Sequence, residues 1–191
     1  MMHVVINAGE FHVSNRDVEI TTFLGSCIAA CLYDPLQGVV GMNHFLLSHP
    51  KYAVNAPISM VEAGRYGVHA MELVIDGMLK LGANRREIRA KVFGGSSFFN
   101  VSTEEQDLFC VGDNNTHFIK EFLKNGGIPL VAYDLGGDKG RSIRFSSRDY
   151  SVVARHSQNV MTKRFLKKER VIARNCRAQS GIPTFAHSPM T

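Results

Sequence analysis

A cysteine that could act as a nucleophile stands where a Gly-Ser step meets an apolar segment, in the stretch TFLGSCIAACLY. A thiolate at Cys27 would attack a carbonyl carbon once a neighbouring base has taken its proton. Gly25 and Ser26 allow a sharp turn before the thiol, and backbone N–H groups of that turn could stabilise an oxyanion. The alternative is a small buried side chain, the usual role of a cysteine outside a disulfide.

The base that such a nucleophile needs is best supplied by His44, one of eight histidines. His44 lies within GVVGMNHFLLS, and the Asp34-Pro35 breaker separates this segment from CIAACLYD, so the two segments predict an antiparallel hairpin. Counted outward from Gln37, Cys27 is ten residues away and His44 seven, so the two side chains must meet across a diagonal or a bulge. The alternative is a hydrogen-bonded histidine in the core.

A third candidate is Thr21, six residues before Cys27. A hydroxyl or a carbonyl near the far imidazole nitrogen would fix the tautomer of the base, as the third member of a catalytic triad does. Threonine is equally common in strands that have no such role. Cys31 is expected in the core, and the four cysteines form no paired C-x-x-C units, so no structural zinc site is predicted.

The remaining segments predict how these residues are positioned. The N-terminal third reads as a series of strands. The S-x-x-E pattern from Ser59 to Glu62 then predicts a capped amphipathic helix that ends at Gly82. IRAKVFGG is a further strand, followed by a helix capped at Asn114 or Asn115 and by two strands, IPLVAYDLGG and GRSIRFSSRDYSVVA. The pattern predicts an α/β fold, a layered α/β sandwich with a mixed, largely antiparallel sheet covered by helices.

Charge divides the chain into two parts. Residues 1–154 carry 14 Lys/Arg and 16 Asp/Glu, whereas the stretch from Arg155 to Arg177 carries eight Lys/Arg and one acid. We therefore expect a catalytic domain over 1–154 and a basic C-terminal extension over 155–191, partly helical or disordered. The slightly acidic domain argues against specific nucleic-acid binding, and the extension could make a weak electrostatic contact with a membrane surface. No signal peptide is evident, so a cytoplasmic protein is expected.

Several motifs together resemble the chemoreceptor glutamine deamidases, the CheD family. They are TTFLGSCIAACLYDP, GMNHFLL, KVFGGSSFF and VGDNNTHFIKEFLKNGGIPLVAYDLGGDKGRSIRF, which together extend over most of the chain up to Ala154. The resemblance implies Cys27 as nucleophile, His44 as base and Thr21 as orienting residue, although Thr22 beside Thr21 leaves an ambiguity. It also implies a CheD-like fold similar to the catalytic domain of cytotoxic necrotising factors.

The activity that the resemblance implies is hydrolysis of specific glutamine side chains in chemoreceptor helices to glutamate and ammonia, through a thioester and with no metal or organic cofactor. A CheC-type phosphatase is a further partner known for the family. The alternative function is a non-catalytic chemotaxis module that binds receptors or such a phosphatase. A nucleic-acid binder acting through the basic extension is a weaker alternative, because the extension has little aromatic interleaving.

Overall fold

The computed structural model describes residues 1–47, 62–97 and 106–157, with the backbone alone for 62–66 and 106–110. These residues form nine strands and two helices. In chain order they are β1 (Met2–Val5), β2 (Phe11–Ser14), β3 (Val18–Leu24), β4 (Ile28–Asp34), β5 (Val39–Phe45), α1 (Glu62–Lys80), β6 (Arg89–Gly94), α2 (Gln106–Asn125), β7 (Leu130–Leu135), β8 (Arg141–Ser146) and β9 (Val152–His156).

The strands form two sheets rather than the single sheet that the sequence predicts. The four-stranded sheet has the order β1-β3-β8-β9 and the five-stranded sheet the order β2-β5-β4-β6-β7. The β1–β3 and β6–β7 pairs are parallel and the other pairs are antiparallel. The prediction of a mixed, largely antiparallel α/β fold is confirmed, with a second sheet as an additional layer.

The five-stranded sheet is the central layer because the side chains of β4 and β5 are buried on both faces. One face packs against α1 and α2 through an apolar core that includes Ile28, Ala30 and Leu32. The opposite face packs against the four-stranded sheet and includes Cys27, Ala29 and Cys31. Since strand side chains alternate between faces, the parity of each position decides which of the two cores it enters.

Helix α1 confirms the predicted amphipathic helix, with Met71, Ile75 and Met78 fully buried against the five-stranded sheet. The helix packs so close to β5 that a Cβ added at Gly41 would lie only 2.7 Å from a Val74 methyl carbon. The absence of a side chain at Gly41 therefore permits this close approach. The helix ends as predicted before Gly82, which adopts a left-handed φ of +98°. Ser59, the expected start of the capping box, lies outside the described residues.

Two boundary predictions are wrong. Helix α2 is already helical at Gln106, so Asn115 is a buried residue within the helix rather than its cap. The segment GRSIRFSSRDYSVVA forms the two strands β8 and β9, because its SSRDYS portion turns back on itself.

Strand β9 reaches His156, so the first two residues of the expected basic extension belong to the sheet, and residues from 158 onward lie outside the described part. Within the described residues, no helix has the length and apolar character needed to cross a membrane.

Candidate active site

Cys27 lies directly before β4, in the core between the two sheets. Its exposed fraction is 2%, and it shares that core with Leu24 and Leu46. The thiol is therefore shielded from bulk water, and a base that serves it must come from the same inter-sheet layer.

The backbone around Cys27 is held by the double-glycine loop that follows β6. The N–H of Gly95 donates to the Cys27 carbonyl at 2.8 Å, and the N–H of Ser96 donates to the Gly25 carbonyl at 2.9 Å. Only glycine fits at Gly94, where φ is +117° and a Cβ would overlap the Cys27 carbonyl oxygen. The two loops therefore fix one another, which explains why a glycine pair follows this strand.

A buried arginine holds the double-glycine loop from its other side. The Arg141 guanidinium donates to the Ser96 hydroxyl at 3.3 Å and to the Gly136 carbonyl, and it forms an ion pair of 2.8 Å with Asp134. The Ser97 N–H also donates to the Gly137 carbonyl at 2.8 Å. The Gly-Gly segment between β7 and β8 thereby supports the loop that contacts Cys27.

His44 lies on the neighbouring strand, diagonally placed with respect to Cys27. Residue Ala29 pairs directly with His44, and Cys27 is two positions before Ala29 on the same face of the sheet. Such diagonal positions are about 7–8 Å apart, with somewhat shorter separations between their Cβ atoms, which longer side chains can bridge. The predicted hairpin and the predicted diagonal relationship are both confirmed.

The hydroxyl that contacts the imidazole belongs to Thr22 rather than to the expected Thr21, and the orienting role in catalysis stays a prediction. Thr22 Oγ1 lies 2.8 Å from His44 Nδ1 and also donates to the Ile6 carbonyl at 2.8 Å. Thr21 has the opposite parity, so its hydroxyl donates instead to the Val4 carbonyl at 3.3 Å within its own sheet.

These contacts determine the tautomer of His44. A hydroxyl has one hydrogen, and Thr22 gives it to Ile6, so Thr22 must accept a hydrogen bond from Nδ1–H of His44. In the neutral imidazole the proton then resides on Nδ1, and Nε2 carries a lone pair. His44 Nε2 is buried and has no hydrogen-bond partner among the described residues. That nitrogen is therefore available to receive a proton.

Burial also determines the charge of His44. Desolvation lowers the pKa of His44 from 6.5 to about 4, against a smaller opposing effect of the Glu10 carboxylate. The imidazole is consequently neutral at pH 7 and is a base rather than an acid in the resting site. A neutral imidazole whose Nδ1 side is held by Thr22 has the protonation state that a general base at Nε2 requires.

Of the other three cysteines, only the side chain of Cys31 lies within the described residues. Cys31 is fully buried in the same core, and desolvation raises the pKa of its thiol far above the usual value, so it stays protonated and unreactive. The side chain of Cys110 and all of Cys176 lie outside the described residues. The oxyanion role expected for the Gly25-Ser26 turn stays a prediction.

Sequence reasoning named Thr22 only as an ambiguity beside Thr21, and it interpreted Asn115 as a possible helix cap. The signal for Thr22 was present, because Val18, Ile20 and Leu24 are apolar at alternate positions and Thr22 shares their parity. Asn115 gave no comparable signal, because an asparagine followed by Thr-His-Phe is also typical of a helix cap.

Comparison with known proteins identifies the family. A family model described as CheD chemotactic sensory transduction matches residues 49–156, a range that begins after His44. The chain is 49% identical to the probable chemoreceptor glutamine deamidase CheD 1 of Geobacter sulfurreducens, over 80% of this chain and 77% of the relative. It is 46% identical to the probable chemoreceptor glutamine deamidase CheD of Agrobacterium fabrum, over 75% of this chain and 73% of the relative. The chain therefore belongs to the CheD family.

Among solved structures, the chain is similar to the hypothetical protein YfiH of Bacillus licheniformis. The TM-score is 0.40 and the identity 16%, over 65% of this chain and 49% of that chain. This similarity is too low to define a shared function.

Proposed function

We propose that this protein is a chemoreceptor glutamine deamidase in which Cys27 is the nucleophile and His44 the general base. The observation that carries the proposal is the state of His44: its Nδ1–H is committed to Thr22, and its Nε2, in the layer that holds Cys27, has no hydrogen-bond partner within the part of the chain that the structure describes. The names of the curated relatives supply the substrate, a glutamine side chain of a chemoreceptor.

In the first half-reaction, the Cys27 sulfur attacks the carboxamide carbon of the glutamine as His44 Nε2 takes the thiol proton. The carbonyl oxygen becomes an oxyanion, and we expect backbone N–H groups of the turn at Gly25 and Ser26 to stabilise it. His44 then gives its proton to the departing nitrogen, the C–N bond breaks, and ammonia leaves. A thioester between Cys27 and the substrate remains.

In the second half-reaction, water attacks the thioester carbon while His44 Nε2 takes one of its protons. The C–S bond breaks, the proton returns to the Cys27 sulfur, and the product is glutamate. Thr22 accepts from Nδ1–H in both halves and stabilises the imidazolium that forms in each. No metal or organic cofactor takes part in this sequence.

The low pKa of His44 suits this cycle. A neutral imidazole is ready to take the thiol proton, and the imidazolium formed during attack is a strong acid in its buried setting. It therefore returns the proton readily to the leaving nitrogen. The desolvation that makes His44 a weak base also limits how much thiolate exists at rest, so the transfer accompanies attack.

We further propose that the basic extension assists encounter with membrane-embedded receptors, since each basic residue near an anionic surface contributes about 1 kcal/mol. A CheC-type phosphatase as second partner of the same protein stays a prediction of the family resemblance.

The proposal is tested by co-expressing a chemoreceptor with the wild-type protein, with Cys27→Ala and with Cys31→Ala, and by mapping glutamine-to-glutamate conversion by peptide mass spectrometry. We expect conversion with the wild type and with Cys31→Ala, and none with Cys27→Ala. Conversion at the native rate by a folded Cys27→Ala variant would remove Cys27 from the mechanism and favour a binding module.

A further inference from the structure

One buried side-chain amide bridges the residue before Cys27 and a residue just beyond the strand that carries His44. Asn115, on α2, is fully buried. Its Nδ2 donates to the Ser26 carbonyl at 2.7 Å, and its Oδ1 accepts from the Leu47 N–H at 2.9 Å. Ser26 immediately precedes Cys27, and Leu47 follows His44 by three residues.

We propose that Asn115 is a positioning residue that sets the distance and angle between the Cys27 thiol and the His44 imidazole. Both hydrogen bonds lie away from water, so a shift of either segment would leave a buried polar group unpaired. The amide group is rigid and offers a donor on one side and an acceptor on the other. It therefore holds the two segments at one separation. This inference rests on the function proposed above.

Helix α2, which carries Asn115, packs tightly against the double-glycine loop. A Cβ at Gly112 would lie 2.7 Å from the Gly95 carbonyl oxygen and 2.6 Å from that of Ser96. A Cβ at Gly95 would in turn overlap the Thr116 hydroxyl. Helix and loop backbones thus approach more closely than any side chain would allow, so α2 cannot move without displacing the loop that binds Cys27.

A role in positioning differs from a role in stability alone. Many buried hydrogen bonds stabilise the fold, and removing any of them lowers the free energy of unfolding. Asn115 is distinguished by its two partners, because Ser26 directly precedes Cys27 and Leu47 lies two residues beyond the end of β5, the strand that carries His44. Loss of Asn115 should therefore uncouple Cys27 from His44, whereas loss of a remote buried polar group should not.

The matched control is Asp34, at the far end of the β4–β5 hairpin. It is also fully buried and accepts three backbone hydrogen bonds, from Leu36, Gln37 and Asn84. Its removal should destabilise the same two strands without touching the Cys27 end of the hairpin.

The experiment is a double-mutant cycle on the rate of Cys27 alkylation by iodoacetamide at neutral pH, read by peptide mass spectrometry of the full chain. His44→Ala is measured in the wild-type, Asn115→Ala and Asp34→Ala backgrounds. We expect His44→Ala to slow alkylation about tenfold or more in the wild-type and Asp34→Ala backgrounds. In the Asn115→Ala background the effect of His44→Ala should fall below about twofold.

The outcomes separate the inference from the proposed function. If His44→Ala has no effect in the wild-type background, the Cys27–His44 pair itself is wrong. If that effect is present but equally large without Asn115, the pair stands and the positioning role is overturned. Should Asn115→Ala fail to fold, Asn115→Asp replaces it. A carboxylate there keeps the acceptor for Leu47 and removes the donor to Ser26, so the same loss of coupling is expected, and an unchanged His44 effect again overturns the inference.

Discussion

Thr22 and His44 are joined across the two sheets by a hydrogen bond of 2.8 Å between Oγ1 and Nδ1. The same hydroxyl donates to the Ile6 carbonyl, so the chain of hydrogen bonds runs in one direction, from His44 through Thr22 to Ile6. The imidazole is therefore oriented by the four-stranded sheet although it is carried by the five-stranded sheet. The hydrogen bond that orients His44, the proposed base, therefore forms only when the two sheets pack together.

Thr22→Val should remove the acceptor for His44 Nδ1–H while it keeps the shape of the side chain. The imidazole would lose its fixed tautomer and the stabilisation of its charged form, so we expect the deamidation rate to fall about tenfold, the effect of one lost hydrogen bond of about 1.4 kcal/mol. The measurement is the rate of receptor glutamine conversion at saturating enzyme.

Thr21→Val is the matched control, since the two threonines are adjacent and Thr21 contacts only the Val4 carbonyl through its side chain in the described structure. Its deamidation rate should stay within about twofold of the wild type, as expected where no contact to the base is lost. A larger loss in Thr21→Val than in Thr22→Val would restore Thr21 as the orienting residue.

A residue's position in this site can be predicted from the sequence when local features determine it, and cannot when contacts between distant segments determine it. The positions of Cys27 and His44 on neighbouring segments of a hairpin are predictable because the loop, the breaker at Pro35 and the hairpin are local features. Which threonine contacts His44 depends on how the second sheet packs against the first. The alternating pattern of β3 shows which face of that strand is buried, but it does not show which element covers that face. Asn115 depends on contacts between residues 68 and 89 positions apart, for which no local pattern exists.

His44 should remain neutral across the pH range in which an ordinary histidine titrates. Because burial lowers its pKa to about 4, the imidazole nitrogen resonances of His44 should show no titration between about pH 5 and 8. Nitrogen NMR of the labelled wild-type protein, with His44→Gln used to assign the signal, makes the measurement. A midpoint near 6.5 would contradict the desolvated base.

The same depressed pKa predicts how stability depends on pH. The unfolded chain binds a proton at this histidine below pH 6.5 and the folded chain does not until about pH 4, so the stabilisation is complete above 6.5. It is lost as the pH falls from 6.5 toward 4, by an amount on the order of 3 kcal/mol. Urea unfolding of the wild type and His44→Gln should show the difference in this window, and parallel curves would refute it.

Gly94→Ala should disturb the nucleophile loop. Its Cβ would overlap the Cys27 carbonyl oxygen, and its φ of +117° is unfavourable for alanine, so both stability and Cys27 alkylation should decrease. Gly127→Ala is the control, because Gly127 has a φ of +65° and nothing within 4 Å of its Cβ position. The control should lose about 1 kcal/mol of stability through its backbone alone and keep the wild-type alkylation rate. Equal alkylation rates in both variants would show that the contact does not position Cys27.

Truncation after Ser157 should leave the chemistry intact. It preserves β9 and the hydrogen bond from the Ser157 N–H to the Gly140 carbonyl, and of the eight basic residues between Arg155 and Arg177 it retains only Arg155. We expect unchanged Cys27 alkylation and slower turnover of membrane-embedded receptor at low salt, with the difference disappearing as salt rises. Equal turnover at every ionic strength would show that the extension has no steering role.

The thioester at Cys27 is the central claim, and hydroxylamine tests it most directly. An acyl-enzyme partitions between water and an added nucleophile, so the wild-type protein acting on receptor in hydroxylamine should convert the target glutamine partly to the hydroxamate. Peptide mass spectrometry identifies that product at the same position as the glutamate. The account predicts hydroxamate with the wild type and with Cys31→Ala, and none with Cys27→Ala. Glutamate without any hydroxamate, at every hydroxylamine concentration, would mean that water attacks the amide directly and would contradict the thioester mechanism.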